Sequence, residues 1–241
     1  MDITIVCGRR PDLLGQTLAS FHDKIIRHFP RGTVYANIDP FCGSDADGDA
    51  CERLLRDRFP DVAIRRPDTP SFGAAVKHLW QQPGTPYFLH MEDDWEVLHP
   101  VTPVQIEPRL HGKVVQVQMA SRDRLYLPRT YAFETTWRKT FGLKILKKVD
   151  PTRPLFATSP SFIKTDFARM CAGLMDPDKD PEKQLYAPDT DLGAYTADFR
   201  NHPLQAKGRR AVVRDLGRPW LSARGMQKRI VDGMSIWERA E

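Results

Sequence analysis

The sequence lacks long hydrophobic runs and an export signal. No stretch of the 241 residues approaches the roughly 18 consecutive apolar residues of a membrane-spanning helix. The opening residues, MDITIVCGRRPD, do not have the layout of a signal peptide. Both absences predict a soluble, cytoplasmic protein, and the length predicts a single domain.

Cysteine pairs at metal-binding or redox spacing are also absent. The cysteines Cys7, Cys42, Cys51 and Cys171 are too far apart for a C-x-x-C motif. Cys42 and Cys51 could pair across the loop CGSDADGDAC, but reduced thiols are expected without an export signal. The alternating aspartates of that loop lack the glycine and glutamate that a calcium loop requires, so we interpret it as a solvated acidic turn.

Four familiar catalytic motifs do not occur in the chain. Without G-x-G-x-x-G there is no dinucleotide-binding fingerprint, and without G-x-x-x-x-G-K-[ST] there is no P-loop for a kinase or ATPase. The absence of G-x-S-x-G and H-E-x-x-H argues against an α/β-hydrolase and a zinc metalloprotease.

The composition is that of a globular protein, but its charge is uneven. Apolar residues make up 41% of the chain and the net charge is +5. Residues 121–148 carry eight Lys or Arg against two acids, and residues 200–230 carry nine against one. This distribution predicts a positive surface in the C-terminal half, suited to phosphates.

Hydrophobic periodicity in the first 95 residues predicts alternating strands and helices. Strands are expected at 3–6, 33–38, 62–64 and 87–91, with helices over 13–29, 50–59 and 72–80, the last capped by Ser71. Such alternation is typical of right-handed βαβ units and a mostly parallel sheet.

The second half has a less regular pattern. Residues 114–119 and 155–158 are candidate strands, 161–174 and 181–199 candidate helices, and 213–217 ends the regular structure before a tail that could be helical from Met226. The fold class predicted for the whole chain is therefore α/β, with an elaborated C-terminal half.

Chemically active side chains follow the predicted strands, where open parallel sheets bind their ligands. Cys7-Gly8-Arg9-Arg10 follows the first strand, Asp39 the second, and Glu92-Asp93-Asp94 the fourth. Side chains alternate along an extended chain, so Glu92 and Asp94 share one side and Asp93 points away. Two co-facial carboxylates suit a divalent cation that bridges to a diphosphate. Alternatively, Asp93 or Asp94 caps the next turn.

These segments resemble the GT-A glycosyltransferases, most closely inverting, family-2-like members with an E-D-D-W sequence. The resemblance covers most of the chain. It rests on the order of TIVCGRRPDLLGQTLASF (4–21), NIDP (37–40), PSFGAAVKHLW (70–80), FLHMEDDWEV (88–97) and VVRDLGRPWLSARG (212–225).

The resemblance implies a GT-A fold, with a mostly parallel central sheet flanked by helices. Residues 1–98 would form the nucleotide-sugar-binding half, and residues 99–241 the acceptor-binding half with its basic tail. It implies Mn²⁺ or Mg²⁺ on Asp94, assisted by Glu92. Asp215, where the family often has His, is a candidate third ligand, although an ion pair with Arg214 or Arg218 is an equal alternative.

The same resemblance implies the donor-binding residues. These are Cys7, Gly8, Arg10, Asp39, Gly73, Lys77, Glu92 and Asp93. Among them, Arg10 or Lys77 could neutralise the departing phosphates. Trp95, next to the acidic segment, could line the sugar or acceptor pocket.

An inverting transfer also needs a general base. Asp189 and Asp191 are the candidates by their order along the chain, although either could cap the following helix instead. The basic segment WRKTFGLKILKK (137–148) is either an exposed helix face or an acceptor-binding element that offers Trp137 or Phe141 for stacking.

The predicted function is metal-dependent transfer of a sugar from a nucleotide-sugar donor to a hydroxyl acceptor. The expected acceptor is a glycan or a lipid-linked molecule. A hydroxymethylated base in DNA is an alternative, because phosphates would meet the basic segments and the base could be extruded. A sugar-nucleotide pyrophosphorylase and a non-catalytic, basic nucleic-acid-binding protein are further alternatives.

Overall fold

The computed structural model describes residues 1–121, 130–140, 143–231 and 234–239; for 137–140, 143–147, 227–231 and 234–239 it describes the backbone alone. The first half alternates strands and helices, as predicted. Its elements are β1 (Asp2–Cys7), α1 (Pro11–Lys24), a 3₁₀ turn (Ile26–His28), β2 (Val34–Ile38), α2 (Asp45–Arg58), β3 (Ala63–Arg65), α3 (Phe72–Gln81), β4 (Tyr87–Glu92) and β5 (Trp95–Val97).

The second half consists of shorter elements and two hairpins. They are α4 (Pro103–Ile106), β6 (Val114–Met119), β7 (Phe133–Thr140), β8 (Leu143–Pro154), β9 (Ser161–Lys164), α5 (Thr165–Leu174), α6 (Pro181–Gln184), α7 (Asp191–Thr196), β10 (Arg200–Leu204), β11 (Val213–Asp215), α8 (Gly217–Ser222), β12 (Met226–Val231) and β13 (Met234–Arg239).

In the described part of the chain, seven strands form the central sheet in the order β10-β6-β9-β4-β1-β2-β3. β1 pairs in parallel with β2 and β4, β2 with β3, and β6 with β10. Only β9 is antiparallel to its neighbours in this sheet. The prediction of a mostly parallel sheet flanked by helices is therefore confirmed. The carboxyl ends of β1, β2 and β4 meet at one edge.

Helices bury their apolar faces on both sides of this sheet. Leu14, Leu18 and Phe21 of α1, at helical spacing, pack in one cluster with Ile3 and Ile5 of β1. On the opposite face, α3 and α5 pack against the sheet in a second cluster. Each fully buried aliphatic or aromatic side chain contributes about 1.5–3 kcal/mol relative to leaving it exposed. The two clusters hold the strand ends in fixed positions.

The acidic loop is part of a helix, so its interpretation as a solvated turn was wrong. Ser44 Oγ accepts a hydrogen bond from Asp47 N–H (3.3 Å), and Asp47 Oδ2 accepts from Ser44 N–H (2.8 Å). This reciprocal capping box starts α2 at Asp45, about five residues earlier than the apolar pattern indicated. Cys42, Cys51 and the other two cysteines are free thiols.

Two of the predicted helices in the second half were too long. Residues 161–164 form β9, which hydrogen-bonds to β4 on one side and β6 on the other, so the helix starts only at Thr165. Pairing on both edges outweighs the local helical pattern. The predicted helix over 181–199 is divided into α6 and α7, with Pro188 between them. Residues 155–158 are not a strand.

Residues in two predicted helical stretches form antiparallel strand pairs instead of helices. β7 pairs with β8, and β12 with β13, which corrects the predicted helices at 137–148 and from Met226. The side chain of Trp137 and residue Phe141 lie outside the described residues, so their proposed stacking role stays a prediction. Among the described residues, every helix is too short or too polar to cross a membrane.

A buried histidine of β4, His90, contacts Trp80 of α3. His90 Nδ1 is 2.8 Å from Thr4 Oγ1 and accepts from Trp80 Nε1 at 3.3 Å. Because an indole N–H can only donate, Nδ1 must be the unprotonated ring nitrogen. Burial lowers the pKa of His90 to about 3. The folded protein therefore keeps this ring neutral where an exposed histidine would be charged.

Replacing His90 should make the free energy of unfolding depend less on pH under acidic conditions. Between about pH 6.5 and 3, the imidazole of His90 is protonated in the unfolded chain but neutral in the folded protein. The free energy of unfolding therefore falls as the pH falls, by at most ~1.4 kcal/mol per pH unit. We expect His90→Gln to reduce the slope of unfolding free energy between pH 6.5 and 4.5, measured by urea titration. The control, His111→Gln, alters an exposed side chain. Equal slopes for wild type and His90→Gln would contradict the assignment.

Candidate active site

A buried ion pair joins the ends of β1 and β4. Arg10 donates from Nη2 to Asp93 Oδ1 and from Nε to Asp93 Oδ2 (3.2 Å), and Gly8 N–H donates to Asp93 Oδ2 (2.9 Å). The Arg10 and Asp93 side chains are only 7% and 2% exposed. The chain turns at Asp93 and Asp94 instead of continuing extended, so the predicted alternation of these side chains does not hold. Asp93 and Asp94 both contact Arg10 Nη2, and the Asp93 oxygens are occupied by Arg10 and Gly8.

The backbone of the acidic segment is held equally firmly. Asp93 N–H donates to the Val6 carbonyl (3.0 Å), and Thr17 Oγ1 donates to the Asp93 carbonyl (2.8 Å). The turn that follows β4 is therefore hydrogen-bonded to both β1 and α1. A structural role accounts for Asp93, although sequence reasoning grouped it with the donor-binding residues.

Asp94 contacts one residue near the N-terminus and two that lie late in the chain. Arg10 Nη2 is 3.2 Å from Asp94 Oδ2, and the Asp94 carbonyl accepts from Leu216 N–H (2.8 Å). A Cβ on Gly217 would lie 2.1 Å from Asp94 Oδ2, so only glycine leaves room for this carboxylate. The Asp94 side chain is still 22% exposed, which leaves it within reach of a ligand.

Glu92 and Asp94 disturb each other electrostatically. Burial raises the pKa of Asp94 to about 7, against the effect of Arg10, while Asp93 and Asp215 raise it further. Burial and then Asp94 raise the pKa of Glu92 well above its usual value, although Glu92 Oε2 accepts a hydrogen bond from Trp95 Nε1 (2.7 Å). This repulsion would be relieved by a bound cation.

Asp215 lies beside this pair but has its own partner. Arg218 Nε is 3.1 Å from Asp215 Oδ2, and Arg218 N–H donates to Asp215 Oδ1 (3.0 Å). Arg214 instead pairs with Glu96. The ion-pair alternative for Asp215 is therefore present, with Arg218. Within the described ranges, no group of three His, Cys, Asp or Glu side chains is arranged to hold a metal. The chemistry of Glu92 and Asp94 fits a hard cation that takes its remaining ligands from phosphates and water.

The end of β2 is linked to α3 through Asp39. Asp39 Oδ1 accepts from Asn37 Nδ2 (2.8 Å), and Asp39 Oδ2 accepts from Ser71 N–H (3.2 Å). Burial raises the pKa of Asp39, and these hydrogen bonds oppose the rise. Asp39 N–H also donates to the carbonyl of Cys7 (2.8 Å), whose thiol is buried. Asp39 and Cys7 thus link the carboxyl ends of β1 and β2.

Gly73 and Lys77 of α3 contact the connector that follows α5. A Cβ on Gly73 would lie 2.4 Å from the Pro177 carbonyl oxygen, and Lys77 Nζ donates to the Met175 carbonyl (2.7 Å). The cation that contacts the acidic segment is therefore Arg10, whereas Lys77 holds the connector.

The two candidate bases lie at the start of α7. Thr190 caps that helix, since its Oγ1 accepts from Gly193 N–H (3.0 Å), so neither Asp189 nor Asp191 is the cap. Both aspartates are exposed.

Sequence reasoning missed three residues at this site. The charge of Glu182, on α6, raises the pKa of Glu92. Phe41 and Trp220 flank the Arg10 guanidinium. Glu182 lies in the stretch that was predicted to be one long helix, where nothing singled it out. Trp220 lies close to Arg10 only because of the tertiary fold. The aromatic segment RPWL gave the one available signal for Trp220.

Comparison with known proteins identifies the fold. No family model matches the chain, and no curated protein sequence matches it. Solved structures do. The first 349 residues of Staphylococcus aureus TarS align with 89% of this chain at 16% identity and a TM-score of 0.56. The mannosyltransferase PcManGT from Pyrobaculum calidifontis, in complex with GDP-Man and Mn²⁺, aligns with 92% at 10% identity and a TM-score of 0.52.

The galactosyltransferase LgtC also aligns, with 90% of this chain and 87% of its own at 11% identity and a TM-score of 0.50. This chain spans 60% of the TarS fragment and of PcManGT. At these identities the likeness shows the fold: the chain has the GT-A architecture found in these glycosyltransferases, as predicted.

Removing Arg10 should be far more destabilising than removing an exposed arginine. Arg10→Met would leave Asp93 buried without its counter-ion, which costs about 3–5 kcal/mol. The matched control is Arg214→Met, which breaks the exposed pair with Glu96 and should cost less than about 1 kcal/mol. Urea unfolding at pH 7 measures both. Similar losses in the two variants would contradict a buried, paired Asp93.

Proposed function

We propose that the protein is a metal-dependent, inverting glycosyltransferase that moves a sugar from a nucleotide-sugar donor to a hydroxyl acceptor. The observation that carries this proposal is the pair Glu92 and Asp94 at the carboxyl end of β4 in a GT-A sheet, where the charge of Asp94 raises the pKa of Glu92. Proteins of this architecture support it, since one TarS structure is a complex with UDP-GlcNAc and PcManGT was solved with GDP-Man and Mn²⁺. They give no support to the DNA-modifying, pyrophosphorylase or non-catalytic alternatives.

Asp94 and Glu92 would hold Mn²⁺ or Mg²⁺, and Asp215 is the nearest further candidate. The metal would supply Lewis-acid stabilisation of the departing diphosphate. Arg10 keeps the Asp94 carboxylate oriented and limits the local negative charge that an incoming diphosphate meets. The end of β1 at Cys7 and Gly8, together with Asp39, would face the nucleoside.

The residues of the second half would provide the acceptor site. In a single displacement the base must reach the acceptor hydroxyl as the sugar–phosphate bond breaks. Asp189 and Asp191 remain the candidates for this role, because both are exposed at the start of α7. Glu182 joins them because its charge already reaches Glu92. A glycan or lipid-linked acceptor remains the expected class.

Neutralising the metal-binding carboxylates should abolish metal-dependent chemistry without unfolding the protein. We expect Asp94→Asn and Glu92→Gln each to lower Mn²⁺-dependent hydrolysis of the preferred nucleotide sugar at least about 100-fold, since a charge-stabilising group is lost from the transition state. Donor preference is found first by thermal shift with a panel of nucleotide sugars. Glu96→Gln is the control, because Glu96 lies in the same segment but pairs with Arg214. Full activity in Asp94→Asn would contradict the proposal.

Loss of the general base should separate transfer from donor hydrolysis. Of the variants Asp189→Asn, Asp191→Asn and Glu182→Gln, we expect one to lower sugar transfer by about 10²–10⁴-fold. Donor hydrolysis by the same variant should change little, because water is not activated by the acceptor base. The measurement is the ratio of transfer to hydrolysis. Unchanged ratios in all three variants would show that the base lies elsewhere.

A further inference from the structure

A segment near the C-terminus closes over the acidic segment. β11 pairs antiparallel with β5, which places Asp215 opposite Trp95 immediately after the acids. The Leu216 N–H then binds the Asp94 carbonyl, and α8 begins at Gly217, against the Asp94 carboxylate. Because α8 begins at this position, its residue Trp220 lies next to Arg10.

The Arg10 guanidinium lies over the faces of two aromatic rings. Its Cζ atom is 5.6 Å from the centroid of the Phe41 ring and 5.9 Å from that of the Trp220 ring. Aromatic faces attract a guanidinium and shield it from water. Since Arg10 Nη2 donates to both Asp93 and Asp94, a rotation of the guanidinium would release the Asp94 carboxylate.

The Trp220 ring is itself fixed from two directions. Its Nε1 donates to Asp12 Oδ2 (2.6 Å) in the first turn of α1, and Arg224 Cζ lies 3.5 Å from its ring centroid. Arg224 Nη2 is also 3.5 Å from the same Asp12 oxygen. An indole with one bonded edge and one covered face has little freedom to move away from Arg10.

We propose that Trp220 is a positioning residue that orients the Asp94 carboxylate for the metal by holding Arg10 in place; this rests on the proposed function. Trp220 acts through Arg10 rather than on a substrate. Groups that orient a metal ligand through hydrogen bonds typically change metal affinity or activity about 10- to 100-fold when they are mutated.

The test is Mn²⁺ binding measured directly by the electron paramagnetic resonance signal of free Mn²⁺. Trp220→Leu should raise the dissociation constant of Mn²⁺ about 10- to 100-fold, whereas Trp220→Phe, which keeps an aromatic face, should restore it to within about threefold of wild type. The matched control is Phe133→Leu, which removes another aromatic ring in contact with an arginine, 5.5 Å from Arg200 Cζ, and should leave Mn²⁺ binding unchanged.

A second measurement reports the contact without the metal. The shifts in urea midpoint caused by Trp220→Leu and Arg10→Lys should be non-additive in the double variant if the two side chains act as a unit. Additive shifts, or wild-type Mn²⁺ affinity in Trp220→Leu, would overturn the positioning role alone. If the wild-type protein bound neither Mn²⁺ nor a nucleotide sugar, the proposed function would fail first and the positioning role with it.

Discussion

The Arg10–Asp93 pair is the interaction on which the rest of the site depends. Two charges removed from water cost several kcal/mol each unless they find close partners. Hydrogen bonds from the Arg10 guanidinium and from the Gly8 N–H offset this desolvation cost for Asp93. Because one partner follows β1 and the other follows β4, the pair fixes the relative position of the two central strand ends. The positions of the other residues at this edge of the sheet depend on these two strand ends.

Beside the Arg10–Asp93 ion pair lie two carboxyl groups, Glu92 and Asp94, that have no cation of their own among the described residues. Arg10 donates to both carboxylate oxygens of Asp93 but to only one of Asp94, and Glu92 has an indole N–H as its partner rather than a cation. In the absence of a cation, both carboxyls therefore favour the protonated form more than an exposed carboxyl does. Strongly raised carboxylate pKa values in a cleft are typical of functional sites, because folding alone gains nothing from this repulsion.

The C-terminal half completes this edge from two directions. The connector after α5 packs over Gly73 and is held there by Lys77, while α8 closes on Asp94 through Gly217. Both approaches require a glycine, since a Cβ would overlap a carbonyl oxygen at one and a carboxylate at the other. Residues of the second half are thus packed against residues 1–98 at this edge of the sheet.

The sequence by itself determined the βαβ order of the first half, the N-cap at Ser71 and the place of the acids at the end of β4. These features depend on neighbours in the chain, and periodicity and capping are local. Only the tertiary structure decided that Asp93 pairs with Arg10, that residues 161–164 form a strand, and that Trp220 meets Arg10. Each of those outcomes depends on contacts between residues tens to hundreds of positions apart, whose free energy no local pattern records.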